Sequence, residues 1–285
     1  MTDLSPKAVA EAIGVSESSL KRWCDQGLIA MIKTPGGHRR LSRAAVVDFL
    51  RESQRKVIKP ELLGLPADIG SSIPSYPEAT EALTEAFRTG NEVTARRIVL
   101  DLHLAGHSLS VLCDEVVVPA FVAIGHQWEC GSVEVYQERL ACEICEDILH
   151  RLESLLVAPT ESAPLALGAT PECDPYTLPT KFVECVLRQH GWDAHSLGSR
   201  IPFTSLTQAA KTRQPRLMWI STSHIEDEPK FVAEFRQFYN VVKEITAVVV
   251  GGRGFHESLR RQLEYAAYCD NLQHLEAFAA SLFSP

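Results

Sequence analysis

The sequence predicts a multidomain chain of α and α/β class, with a small helical head, a helical bundle and a parallel sheet following in order. Three observations predict it: charge is unevenly distributed, breaks rich in Pro, Gly and Ser divide the chain, and the apolar pattern changes period between the breaks. The length of 285 residues suits two or three domains, and a hydrophobic fraction of 45% is enough to build real cores. Net charge is −8, yet residues 1–60 carry 11 Lys/Arg against 6 Asp/Glu while the rest carries 17 against 30. A basic head on an acidic body is the distribution expected when only the head meets phosphates.

The breaks set the expected boundaries. Residues 1–58 form the head, and "KPELLGLPADIGSSIPSYP" at 59–77 reads as a linker. Residues 78–157 carry helical patterns with Pro119 as their single proline, "APTESAP" at 158–164 is a second break, and 164–285 alternate strand and helix patterns. No apolar run reads as long enough to span a bilayer, and "MTDLSPKAVAE" lacks the apolar stretch of a signal peptide. Eight cysteines without paired spacing read as reduced thiols. The expected location is the cytoplasm, with no membrane partner.

In the head, Ser5-Pro6 is an N-cap followed by proline at the first helical position, and the helix stops at Gly14. Ser16 caps a second helix, "SESSLKRWCDQ", which ends before Gly27. Two short helices joined by a turn with glycine predict a helix-turn-helix. On the second helix, Leu20, Trp23 and Cys24 share one side and are expected to pack on Val9, Ala12 and Ile13. Ser18, Arg22 and Asp25 lie opposite, flanked by Ser19 and Lys21, where hydroxyls and cations reach phosphates and base edges.

"LIAMIKTPGGHRRLS" reads as two short strands turning at Gly36-Gly37, with Lys33, Thr34, His38, Arg39 and Arg40 around the turn. A third helix, "SRAAVVDFLRESQ", is expected to turn Val46, Val47, Phe49 and Leu50 inward. This order, with "SLKRWCDQGLI" followed by "TPGGHRRLS", resembles the winged helix-turn-helix domain of the MerR type over residues 4–53. The resemblance implies a homodimer, or a tetramer, reading paired half-sites in double-stranded promoter DNA. It places Lys21 and Arg22 in the major groove and Thr34, Gly37, His38, Arg39 and Arg40 on the backbone.

Four helical patterns at 78–89, 91–106, 108–127 and 132–156 predict a four-helix bundle. Within it Cys142-x-x-Cys145 has half of a zinc spacing, and His126 and Cys130 lie one turn apart. Structural zinc sites place CxxC on a knuckle, so in mid-helix these thiols read as small buried hydrophobes. In the last segment, apolar runs "PLALGAT", "WDAHSL", "RLMWIS" and "ITAVVVGG" alternate with helices near 178–190, 203–213 and 228–241. That alternation predicts βαβ units in a Rossmann-like parallel sheet, whose ligands bind where loops leave the C-terminal strand ends. Those loops are "TPECDPYTLP" (170–179), "STSH" (221–224) and "GGRG" (251–254).

Head, bundle and loops together resemble the cobalamin-binding regulators of the CarH/LitR type. The family's DxHxxG, SxL and GG motifs fall on Asp174–Pro179, Ser221-Thr222-Ser223 and Gly251-Gly252, and its bundle tryptophan and glutamate on Trp128 and Glu138. The resemblance thus implies a cofactor site including Trp128, Glu138, Asp174, Tyr176, Ser221, Ser223, Gly251 and Gly252. The departures lie on the cobalt-facing chemistry. Tyr176 stands at the ligating histidine, Pro179 at the motif glycine, and Arg139 at the histidine after Glu138. A phenol stays protonated near pH 7 where an imidazole is a good neutral ligand.

Three readings follow. The first is a MerR-type regulator whose sensor is cobalamin-independent or atypical. The second is an adenosylcobalamin-dependent, light-responsive repressor, with the vitamin's own base, Tyr176 or His224 on cobalt. The third is a corrinoid enzyme module, disfavoured because cobalt ligand and substrate barrel are both missing. No Ser/His/Asp, paired-carboxylate or phosphate-loop pattern supports other catalysis, and no metal ligands are assigned.

Overall fold

A computed structural model describes residues 3–69 and 74–283. The linker expectation at 70–73 and the outermost ends of the first and last domains therefore lie outside the described residues. The chain divides into two compact units, Met1–Val157 and Ala158–Pro285.

The first unit begins with β1 (Asp3–Leu4) and α1 (Pro6–Ala12), whose cap Ser5 accepts from the Ala8 N–H at 3.2 Å. Gly14, at φ +68°, turns the chain into α2 (Glu17–Asp25), capped by Ser16. Strands β2 (Ile32–Lys33) and β3 (Arg39–Ser42) form the wing, and β1 adds to its edge in the order β1-β3-β2. Helix α3 (Arg43–Ser53) follows β3 without a break, because Ser42 ends the strand and caps the helix. It buries Val46, Val47, Phe49 and Leu50, the face its spacing predicts. Leu20 and Cys24 are buried likewise, but Trp23 is only half-buried and meets Phe49 of α3, with ring centroids 5.3 Å apart.

The boundaries expected after the head need correction. Residues 59–69 are not a free linker: Pro60–Leu63 make a 3₁₀ turn, and Leu63, Leu65 and Ile69 are buried. Ile58 and Lys59 donate backbone N–H groups to Ala12 O at 2.8 and 3.0 Å, and Lys59 pairs with Glu11 at 2.7 Å. The prolines and glycines here punctuate apolar residues, whose burial outweighs the turn signal. Helix α4 already starts at Tyr76, inside the expected linker.

Four antiparallel-bundle segments follow as α4 (Tyr76–Thr89), α5 (Glu92–Leu104), a long composite helix and α8 (Val135–Glu153). The composite runs through α6 (Leu109–Leu112), a π turn at Cys113–Val117 and α7 (Val118–Glu129). Pro119 explains the π turn: its ring clashes with the carbonyl four residues back, that of Glu115, and it has no N–H to donate there. Thr80 Oγ1 donates to that carbonyl at 3.2 Å instead. Contrary to the sequence expectation, Leu109–Glu129 is long and apolar enough to cross a membrane by length and composition. Asp114, Glu115 and Pro119 interrupt the run on paper, but Leu109, Leu112, Val116, Ala120 and Ile124 are bundle core.

Burial also fixes a charge state. His103 on α5 is fully buried, and burial first, then the neighbouring Arg51 cation, hold its pKa well below the usual 6.5. A histidine with a depressed folded pKa favours the native state above its unfolded pKa, and that contribution is lost as pH falls. The first unit is therefore expected to melt at lower temperature at pH 5 than at pH 7.5. His103→Gln should flatten this dependence in thermal melts; an unchanged pH profile would argue against a neutral buried imidazole.

The second unit is a five-stranded parallel sheet in the order β5-β4-β6-β7-β8. Its elements are β4 (Leu165–Ala169), α9 (Leu178–Gln189), β5 (Asp193–Ser196), α10 (Phe203–Arg213), β6 (Leu217–Ser221), α11 (Glu228–Val242) and β7 (Ala247–Gly251). A short α12 (Glu257–Arg260), β8 (Ala267–Cys269) and α13 (Leu272–Phe283) complete it. The sequence reading ended at β7; a three-residue strand carries too little apolar pattern to read. One face packs Phe203, Phe231, Phe235 and Phe238 from α10 and α11. The other packs Trp192 and Trp219 against Leu187 and Leu275. Gly168 of β4 is required there, since a Cβ would lie 2.0 Å from the Trp219 ring.

Candidate nucleic-acid interface and sensor loops

Helix α2, the start of α1 and the wing line a cleft of about 460 Å³, formed by Ser5, Pro6, Glu17, Lys21, Lys33, Gly37, His38, Arg39 and Arg40. The wing turn is held by Thr34, whose N–H donates to His38 O at 2.9 Å and whose hydroxyl accepts from His38 N at 3.2 Å. Of the glycine pair, Gly37 alone has positive φ, +76°, so it makes the turn; Gly36 does not. Arg22 and Lys33 are exposed and Arg40 is half-buried, each without an ion pair among the described residues.

Other expected residues are engaged within the head. Ser18 and Ser19 hydroxyls lie 2.9 Å from Ser16 Oγ, in the cap of α2. Lys21 pairs with Glu17 at 2.7 Å, and Arg39 Nη2 donates to Asp25 Oδ1 at 2.6 Å. The Arg39–Asp25 pair ties wing to recognition helix. The sequence reading puts Asp25 on the outward face of α2 and Arg39 at the wing turn without joining them, because residues fourteen apart meet only through the fold.

In the bundle, Trp128 is 51% exposed, Arg139 is exposed, and the Glu138 carboxylate pairs with Arg139 at 3.4 Å. Glu138 Oε1 also accepts from Cys142 Sγ at 3.6 Å. Burial and Glu138 push the Cys142 thiol up to about 12, which keeps it protonated and a poor metal ligand. Cys145 is buried, and no group of three or more His, Cys, Asp and Glu is placed for a metal among the described residues.

In the sheet unit, the loops after β4 and β6 meet at Asp174, which is fully buried. Its Oδ1 accepts from Tyr176 N at 2.9 Å, and its Oδ2 accepts a short hydrogen bond from Ser223 N. Asp174 thus stitches the loop after β4 to the loop after β6, and Cys173 Sγ donates to His224 O at 3.5 Å beside it. The third loop joins through backbone: Thr222 N donates to Gly251 O at 2.9 Å and Gly254 N to Thr222 O at 2.8 Å. Gly252, at φ +99°, has no room for a Cβ, which would sit 2.4 Å from Thr222 O. The glycine pair therefore serves its neighbouring loop. Tyr176 is half-buried, His224 is exposed, and Pro179 lies in the first turn of α9, where its missing N–H costs nothing.

Residues 4–54 match the helix-turn-helix domain family, and residues 79–153 match the B12 binding domain family. Over 85% of its length the chain is 26% identical to the HTH-type transcriptional repressor CarH of Myxococcus xanthus, covering 86% of that protein. In structure it resembles the Methanosarcina barkeri monomethylamine corrinoid protein, with a TM-score of 0.60 and 14% identity, across 73% of this chain and all of that one. Head, bundle and parallel sheet define a DNA-binding transcription regulator with a cobalamin-binding-like domain. More particularly, the chain is CarH-like.

Proposed function

We propose that this regulator grips double-stranded promoter DNA, as a dimer or tetramer, and that its sensor does not hold cobalamin through a protein histidine on cobalt. Arg22 on the recognition helix reads the major groove, while Lys33, His38 and Arg40 hold the backbone. Lys21 exchanges Glu17 for phosphate, and Arg39 steers the wing through Asp25.

The observation that carries the cobalamin part is the donor set. The buried Asp174 orients a tyrosine where the CarH/LitR pattern has its ligating histidine, and Arg139 takes the other histidine's place. A phenol near pH 7 is a poor neutral donor to a metal. The space beside β4 and β6 supports the same reading, since Trp219 lies across Gly168 and is buried with Trp192 among residues of α9 and α13. These residues do not fit an imidazole-ligated corrinoid.

The purified full chain, incubated in the dark with adenosylcobalamin and desalted, is expected to show no corrinoid absorbance. Retained absorbance would support the second reading, a light-responsive adenosylcobalamin repressor, which the match of 79–153 to the B12 binding domain family favours, and a retained spectrum that shifts in His224→Ala would overturn the claim that no protein histidine sits on cobalt. Tyr176→Phe and His224→Ala would then tell which side chain, if either, reaches cobalt.

A further inference from the structure

Within the first unit, the DNA-binding head meets the bundle through a partly buried polar contact around Arg51. Arg51, in the last turn of α3, places Nη1 3.1 and 3.0 Å from Nδ1 and Nε2 of His103, and its Nη2 donates to His107 O at 3.1 Å. Gln54, the left-handed residue that ends α3, donates Nε2 to Ala105 O at 3.1 Å. His107 in turn meets Tyr76 OH, at the start of α4, at 2.7 Å. The last carbonyls of a helix lack internal donors and carry its negative pole. Here the carbonyls that follow α5 are capped by side chains of the head.

The bundle is shaped for this contact. Gly106 lies at φ +96°, and a Cβ there would be 2.7 Å from Gln54 Nε2 and 3.4 Å from Arg51 O. Burying a guanidinium is costly, and a polar contact in such a place fixes geometry better than it adds stability. Helix α3 is also joined to both DNA-facing parts. Its cap Ser42 is the last residue of wing strand β3, and Phe49 packs on Trp23 of the recognition helix.

We propose that Arg51, seconded by Gln54, is a positioning residue for DNA binding. It anchors α3 to the C-terminal end of α5, so that the bundle sets the placement of wing and recognition helix together. This deepens the DNA-binding reading and rests on it.

The test uses the full chain in four forms: wild type, Arg51→Ala, Arg51→Lys and Gly106→Ala, the last opening the contact from the bundle side. Amide exchange compares residues 43–55 with 92–104, and mobility shifts compare the protein's own upstream fragment with random duplex over 50–200 mM salt. In wild type the two segments are expected to open together. In Arg51→Ala and Gly106→Ala, 43–55 should exchange at least tenfold faster than 92–104. Affinity for the upstream fragment should fall about tenfold, with random-duplex affinity and salt slope unchanged. Arg51→Lys keeps the charge but cannot span His103 and the His107 carbonyl, so it should fall between.

Co-opening of the segments in both variants overturns the proposal. So does separate opening with unchanged upstream affinity, which would make the contact structural only. A salt slope lower by about one would make Arg51 a phosphate ligand instead and also overturns it. If wild type binds no duplex, the DNA reading fails while the exchange comparison still tests the anchor.

Discussion

In the full chain, Arg40→Ala is expected to weaken binding to every duplex by a similar factor and to lower the salt slope by about one. Arg40 stands on wing strand β3 opposite Ile32, lines the head cleft, and has no ion pair among the described residues to release first. A charge-assisted hydrogen bond to phosphate contributes about 1.5 kcal/mol, or about tenfold in affinity. Because a phosphate contact carries no sequence information, specific and random fragments should lose alike, and fewer released counterions should flatten the salt dependence. Mobility shifts across 50–200 mM salt measure both. Loss confined to one sequence would move Arg40 from backbone to base. An unchanged slope would remove it from the phosphate set. Arg22→Ala is the useful contrast, since a groove contact should cost more on the specific fragment than on random duplex.

Trp219→Ala is expected to destabilise the sheet unit by about 3–5 kcal/mol, the range for deleting a buried aromatic ring. The indole is 2% exposed, lies across Gly168, and donates Nε1–H to Thr180 Oγ1 at 2.8 Å. Thr180→Val separates the two contributions. It keeps the ring but leaves its buried N–H without an acceptor, at a cost of about 1–3 kcal/mol. Denaturant unfolding of the purified variants measures each. A Trp219→Ala cost near that of an exposed residue would mean the ring does not fill the space described for it, and the packing argument against a corrinoid beside β4 would go with it.

Much of the local structure was legible in residue order, because its causes are local. Ser5 and Ser16 cap their helices as read, and the 3.6-residue spacing of Val46, Val47, Phe49 and Leu50 gave the buried face of α3. The alternation of apolar runs with helices gave β4 to β7, since strands buried on both faces read as continuous apolar runs. Where the reading failed, long-range packing had reassigned a local signal. Leu63, Leu65 and Ile69 buried themselves amid turn residues.

The sequence by itself determined the chemistry available: a cationic wing on an acidic chain, and a tyrosine and an arginine at positions where the resemblance to the CarH/LitR type expects histidines. Tertiary structure decided which of those groups remain available, because charges and hydroxyls far apart in the chain neutralise one another only once packing brings them within hydrogen-bond reach. Asp25 claims Arg39, Asp174 ties two loops together, Thr222 takes the space at Gly252, and Arg51 closes on the end of α5.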